Sequence, residues 1–280
     1  LLTLDTSAYT ASLRADDDAL YLLTSNAAHR VVPGQEPQSQ PLDLSFGATL
    51  SELAIIFWSS GAVWSAPKRG GELQRLGMVP HQPQYFVASG ARLAWIDRTE
   101  QGLFTLQTLE RNKPRVFYSS PGKIDALSMS HDWVFFVERA NDDTWRFGGL
   151  STRGGNPAYT PSKRGRTPAM LAVSNDIYYY EPDAQELRSL SPDFQHEETI
   201  AKNVVCSPVA VAEKIYCAQV QGLFEVTKDT HRMTLLTRGS RRLITSIVAN
   251  SKFVAWLSDV GPNKLALMTL PTHTDTNPTP

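Results

Sequence analysis

Apolar and polar residues alternate along most of this chain, and no stretch shows the i, i+3, i+4 spacing of an amphipathic helix. A short apolar or aromatic core recurs instead: Leu20-Tyr21-Leu22, Ile56-Phe57-Trp58, Leu93-Ala94-Trp95, Val134-Phe135-Phe136, Ile177-Tyr178-Tyr179, Ile215-Tyr216-Cys217 and Val254-Ala255-Trp256. Successive cores are separated by 36, 37, 41, 43, 38 and 39 residues. A four-stranded propeller blade takes about 40–45 residues. The pattern predicts an all-β, seven-bladed β-propeller with four-stranded antiparallel blades, inner strand A followed by B, C and outer D.

Each core is preceded by a weaker alternating run that ends in a turn, such as Tyr85-Phe86-Val87-Ala88 before Ser89-Gly90. Each is followed by a polar loop and further short strands. The third strands repeat almost literally in Gln101-Gly102-Leu103-Phe104 and Gln221-Gly222-Leu223-Phe224. Arg69-Gly70-Gly71 and Arg153-Gly154-Gly155 both separate a third strand from a fourth, where glycine supplies the positive φ of a tight turn. The charge on Val63–Gly77 is read as solvation of such a C–D turn. Blades are expected over residues 12–46, 51–83, 84–124, 125–168, 169–208 and 209–244. Blade seven is expected with A near 246–249, B at 253–257 and C at 265–270. Its missing outer strand is assigned to Leu1-Leu2-Thr3-Leu4, which would close the ring and protect its edges. Residues 1–271 then form one domain, and the polar, Pro/Thr-rich 272–280 a flexible tail.

Blades pack face to face, so their middle strands need apolar side chains on both sides. Trp58, Trp95, Phe135, Phe136, Tyr178, Tyr179 and Trp256 are therefore read as filling between blades. Trp64 and Trp145, on third strands, could be core or exposed ligand-stacking residues.

Composition narrows the function classes. The chain has 280 residues, 41% hydrophobic and 20% charged, with a formal net charge of −1. That is enough chain for a sizeable core and argues against disorder. It gives no field favouring nucleic acid, and no apolar run approaches the ~20 residues of a membrane-spanning helix. The chain starts at Leu1 without a signal peptide, as a processed, trimmed or excised chain would. The two cysteines, Cys206 and Cys217, flank a turn expected at Ala212-Glu213-Lys214. They are either a disulfide across a hairpin, favouring an oxidising compartment, or two small buried thiols.

Ile56-Phe57-Trp58-Ser59 and Ala66-Pro67-Lys68-Arg69-Gly70-Gly71 resemble the VYWT…VPKxGG-type repeat of secreted bacterial seven-bladed propellers of unknown function. The likeness runs through the chain at the level of blades and is sharp in blade two. It implies a propeller and export to the extracellular space or periplasm. It implies no reaction, because propellers host enzymes, lectins and scaffolds alike.

Catalytic and metal motifs are scarce. A calcium-dependent lactonase needs several oxygen ligands converging from the inner strands. Those strands read Leu53-Ala54, Val87-Ala88, Leu127-Ser128-Met129-Ser130, Ala172-Val173, Ala210-Val211 and Ile247-Val248, with Asp125 the one carboxylate near the start of an inner strand. The histidines (His29, His81, His131, His196, His231, His273) show no zinc spacing. His131-Asp132 is read as a turn, and His81 is the candidate for a lyase-like site. No cofactor or metal is expected.

One charge pattern stands out. Lys123, Lys163-Arg164-Gly165-Arg166, Lys202 and Arg238-Gly239-Ser240-Arg241-Arg242 fall in D–A loops, while Asp97, Glu100, Glu138, Asp142, Asp143, Glu181, Asp183 and Asp259 fall in B–C loops on the same face. The pattern is either solvated surface with mutual ion pairs or a recognition surface for a carboxylated ligand or acidic peptide. The second reading names Lys123, Arg164, Arg166, Arg241 and Arg242 as ligand-binding. It makes the chain a non-enzymatic binding propeller for a protein or small anionic ligand. A lactonase- or lyase-like enzyme with a site at the channel mouth is the alternative, and a glycan-binding lectin the third.

Overall fold

The computed structural model describes residues 2–5, 12–140, 143–168, 171–173, 176–211, 214–219, 222–238, 244–261 and 264–272. All its regular elements are strands, in seven antiparallel sheets. Blade one comprises β2 (Ser12–Ala15), β3 (Leu20–Leu23), β4 (Ala27–Val31) and β5 (Gln38–Pro41); blade two, β6 (Ala48–Leu50), β7 (Ala54–Ser59), β8 (Ala62–Pro67) and β9 (Gln74–Met78). Blade three has β10 (Gln84–Ser89), β11 (Arg92–Arg98), β12 (Phe104–Glu110) and β13 (Lys113–Ser120). Blade four has β14 (Lys123–Met129), β15 (Trp133–Arg139) and β16 (Thr144–Ser151), with an outer edge split into β17 (Ala158–Tyr159) and β18 (Lys163–Arg164). Pro161 lies in that break; it lacks the N–H that a continuous ladder would use. Blade five has β19 (Leu171–Val173), β20 (Ile177–Glu181), β21 (Glu186–Leu190) and β22 (Glu197–Lys202); blade six, β23 (Ser207–Val211), β24 (Lys214–Gln219), β25 (Gly222–Thr227) and β26 (Arg232–Arg238).

Blade seven runs through β27 (Ile244–Ala249), β28 (Phe253–Gly261) and β29 (Lys264–Pro271), and its outer strand is β1 (Leu2–Asp5). Leu2 pairs with Leu267 and Leu4 with Leu265, so the N-terminal segment completes the last blade. The closure removes a free sheet edge and joins the first part of the chain to the last. Beyond Thr272 the expected tail lies outside the described residues.

Seven apolar clusters fill the seven gaps between blades, and the two-residue period of a strand explains how one strand serves two of them. Tyr179 packs into the cluster between blades four and five, whereas its neighbour Tyr178 packs into that between five and six. Phe135 and Phe136 divide in the same way. Of the middle-strand aromatics, Trp95, Phe135, Phe136, Tyr178, Tyr179 and Trp256 are buried and Trp58 is half-buried, its Nε1 donating to Val79 O at 2.7 Å. Close approach also dictates a glycine: a Cβ at Gly148 would run into the Phe136 ring.

Two readings of the chain need correction. Blade two begins at Ala48, not Ser51, and its inner strand is Ala48–Leu50; Leu53 is 83% exposed in the A–B turn and Ala54 belongs to β7. Three residues are too few to show an alternation, so the stronger run downstream masks the strand. Lys68 is not solvated: its side chain is 8% exposed and its ammonium meets Asp16 of blade one.

Candidate functional site

Within a blade, D–A and B–C connections share one face of the disc. On blade four this face is organised by two buried carboxylates. Asp125, on β14, accepts Lys123 Nζ at 2.5 Å, Arg139 Nε at 3.0 Å and Thr167 Oγ1 at 3.1 Å. Two cations thus share one acid. Thr167 also ties the segment that follows Arg164 and carries Arg166 back to Asp125.

Glu138, near the end of β15, is the second. Its side chain is 6% exposed and accepts Tyr118 OH at 2.6 Å, Arg146 Nε at 2.8 Å, Arg146 Nη2 at 2.6 Å and the Ser120 hydroxyl. Burial alone would raise the Glu138 carboxyl, but Ser120, Tyr118 and Arg146 outweigh it and hold it below the ordinary carboxylate range. Burial and the hydrogen bond to Glu138 push the Tyr118 hydroxyl up. Burial also raises Tyr159, whose hydroxyl lies 2.6 Å from that of Tyr118. The Arg146 guanidinium stacks 3.6 Å from the centre of the Tyr159 ring. Beside this network opens a pocket of about 280 Å³ lined by Pro121, Gly122, Glu138, Ala140, Trp145, Arg146 and Ser162.

Blade five continues the surface. The Lys163 ammonium contacts Glu197, donates to Tyr179 OH at 2.9 Å and lies 5.5 Å from the centre of the Trp145 ring. Arg166 Nε donates to Asp183 Oδ1 at 2.7 Å and its backbone N–H to Asp183 Oδ2 at 2.8 Å. The Arg166 side chain lowers the Asp183 carboxyl, and Asp183 raises the Arg166 guanidinium. Arg164 is exposed, in β18, and no described carboxylate pairs with it.

Lys123, Arg164 and Arg166 therefore share one face, with Lys123 and Arg166 each bound to a carboxylate. Arg241, Arg242 and Asp142 lie outside the described residues, as do the Ala212-Glu213 part of the expected turn and the Asp259 side chain. Cys206 and Cys217 are joined in a disulfide with Cα atoms 5.2 Å apart. His81 is exposed, with Nδ1 3.6 Å from Asp97 Oδ2. The His131-Asp132 turn receives Arg92, which donates to His131 O at 2.8 Å. Among the described residues, no three His, Cys, Asp or Glu side chains converge as a cation cage requires.

Chemically, Glu138 is a saturated, ionised carboxylate and a poor base, while Tyr118 and Tyr159 remain protonated donors. The network fixes the orientation of Arg146. Neither Glu138 nor Tyr118 was legible as part of this arrangement. Its members come from β13, β15, β16 and β17, so no local motif records it.

No family model matches the chain, and no curated protein matches it. Its fold is similar to that of a Mycobacterium tuberculosis puromycin-hydrolysing peptidase, with TM-score 0.70 and 10% identity, over 95% of this chain and 52% of that one. It is also similar to PorZ, a bacterial surface component of the type-IX secretion system of Porphyromonas gingivalis, with TM-score 0.61 and 10% identity, over 98% and 40%. The computationally designed Ika8 protein gives TM-score 0.57 and 12% identity, over 96% and 98%. This chain thus spans about half the length of the peptidase and less of PorZ. At such identities the likeness shows the fold alone: a seven-bladed β-propeller.

Proposed function

We propose that this chain is a binding propeller, a single domain over residues 1–271, whose D–A/B–C face recognises a protein or small anionic ligand. The observation behind this reading is a local excess of cations where blade four meets that face. Lys123 and Arg139 share Asp125, and Arg164 stands exposed with no described carboxylate partner. The ion pairs of Arg166 and Arg146 hold their guanidinium groups in fixed positions, which lowers the ordering cost of recognition. Arg241 and Arg242 are proposed to extend the surface. The Cys206–Cys217 disulfide and the likeness to a bacterial surface component fit an extracellular or periplasmic location.

The enzyme reading draws on the peptidase likeness, but Glu138 is locked as an ion and Tyr118 as a protonated hydroxyl, a poor basis for acid–base chemistry on this face. The lectin reading needs exposed third-strand aromatics. Trp64 is half-buried and donates to Ser59 O at 3.1 Å, and Trp145 is 1% exposed.

The test uses poly-L-glutamate as an acidic-peptide probe, titrated by fluorescence anisotropy against the protein and a Lys123→Ala/Arg164→Ala/Arg166→Ala variant. The reading expects binding that weakens at least tenfold in the variant and falls with salt. Equal binding by both proteins, or none by either, would overturn it.

A further inference from the structure

Among the described residues, the seven innermost strands are almost free of charge. Their charged residues are Arg14 in β2 and Lys123 and Asp125 in β14, and the last two pair with each other at the D–A end. Arg14 has no such partner. Its Nη1 donates to the adjacent Leu13 O at 2.9 Å, and no described carboxylate approaches it.

Where Arg14 sits follows from its neighbours. Leu13 is fully buried in the cluster shared with blade seven, with Ala15 packed against that cluster. Alternation turns Arg14 to the other side of the strand, across from Tyr21. The residue is half-buried, and its remaining nitrogens are not among the described polar atoms sealed from solvent. Burial nonetheless lowers its pKa. The guanidinium is thus enclosed by protein yet reached by solvent, on the blade-two side of an innermost strand that borders the axial channel. The innermost strands also carry half-buried apolar residues, among them Val87, Met129, Val173, Val211 and Val248, and all of these but Val211 pack in part against the clusters between blades.

An arginine does not shed its charge at ordinary pH, so enclosure without a counter-ion is costly and a binding partner relieves it. We propose that the axial channel binds a small oxyanion, a carboxylate or phosphate group, on the Arg14 guanidinium, with the apolar wall taking the ligand's apolar body. The planar fork of donors suits such a group in bidentate fashion. The nearer mouth is lined by Asp16, Asp17, Asp18 and Glu52 along with Lys68, so its field favours entry from the D–A/B–C face. This site is separate from the proposed loop-face surface, and a polymer such as poly-L-glutamate is too bulky to report on it.

The experiment is isothermal titration of inorganic phosphate and, separately, sodium acetate into the protein, Arg14→Met and Arg14→Lys at matched ionic strength in chloride, with thermal melts alongside. The expected result is saturable binding of at least one of the two oxyanions. That binding weakens at least tenfold in Arg14→Met and less in Arg14→Lys, and Arg14→Met melts no lower than the parent in chloride. Absence of binding by either anion, or equal binding by the parent and Arg14→Met, would overturn the proposal. So would a melting point of Arg14→Met well below the parent, or its failure to fold, since either would make Arg14 a structural strut.

Discussion

Lys68 Nζ lies 2.6 Å from Asp16 Oδ2, joining the C–D turn of blade two to the A–B turn of blade one. The same link recurs between Lys228 of blade six and Asp176 of blade five, and in both pairs the lysine follows its aspartate by 52 residues. Lys68 also donates to Glu52 O at 2.9 Å and lies over the Tyr21 ring. The cation of the PK-x-GG turn is thus a fastener between adjacent blades on the face opposite the candidate binding surface. Lys68→Ala should lower the unfolding free energy by about 2 kcal/mol, between the values for exposed and buried pairs. Arg69→Ala, one residue on and exposed, should change it by less than about 0.5 kcal/mol. Urea unfolding of both variants checks this, and equal effects would remove the fastener role.

Two glycines of blade four separate steric from conformational need. Gly148 has no room for a Cβ because the Phe136 ring occupies the space, whereas Gly154 has open space but a φ of +93°. Gly148→Ala should cost about 2 kcal/mol or more through overpacking, and Gly154→Ala about 1 kcal/mol through backbone strain alone. Thermal melts of the two variants should rank in that order.

The Cys206–Cys217 disulfide closes a loop with a sequence separation of 11. Chain-entropy reasoning assigns such a loop about 3 kcal/mol. A Cys206→Ala/Cys217→Ala variant should therefore melt several degrees below the parent and ignore reductant, while the parent falls towards it on reduction. A parent indifferent to reductant under unfolding conditions would contradict this.

Acid should weaken the fold through Asp16 and Glu138. Burial opposes ionisation at both, but Lys68 and the Asp18 and Ala19 N–H groups at Asp16, and Ser120, Tyr118 and Arg146 at Glu138, leave each pKa lowered. The unfolded chain then binds protons first as pH falls. Stability present above about pH 4, the unfolded carboxylate range, is lost as pH drops through the folded values. Urea midpoints measured from pH 7 to pH 3 should fall more steeply for the parent than for Glu138→Gln. Parallel profiles would show that Glu138 contributes nothing to acid sensitivity.

The blades were legible because the B strands must be apolar on both faces, which turns each into a run such as Val134-Phe135-Phe136 that repeats with the blade. Closure by Leu2–Asp5 was legible because blade seven lacked a fourth strand and an apolar segment had no other place. The contacts that set the site were not. Lys68 meets a residue 52 positions earlier, Glu138 is satisfied by groups from several strands, and Arg14 stands in a strand of four residues. Inter-blade pairing of this kind leaves no local pattern. The same applies to Arg166, whose partner Asp183 belongs to the next blade.

Recognition on the D–A/B–C face is read residue by residue in backbone amide chemical-shift mapping with poly-L-glutamate. Shifts are expected at Lys123, Thr144, Arg146, Arg164, Arg166 and Asp183, with little change at Asp16, Ala19, Lys68 or Gly71 on the opposite face. Shifts concentrated at the A–B and C–D turns, or none anywhere, would contradict it.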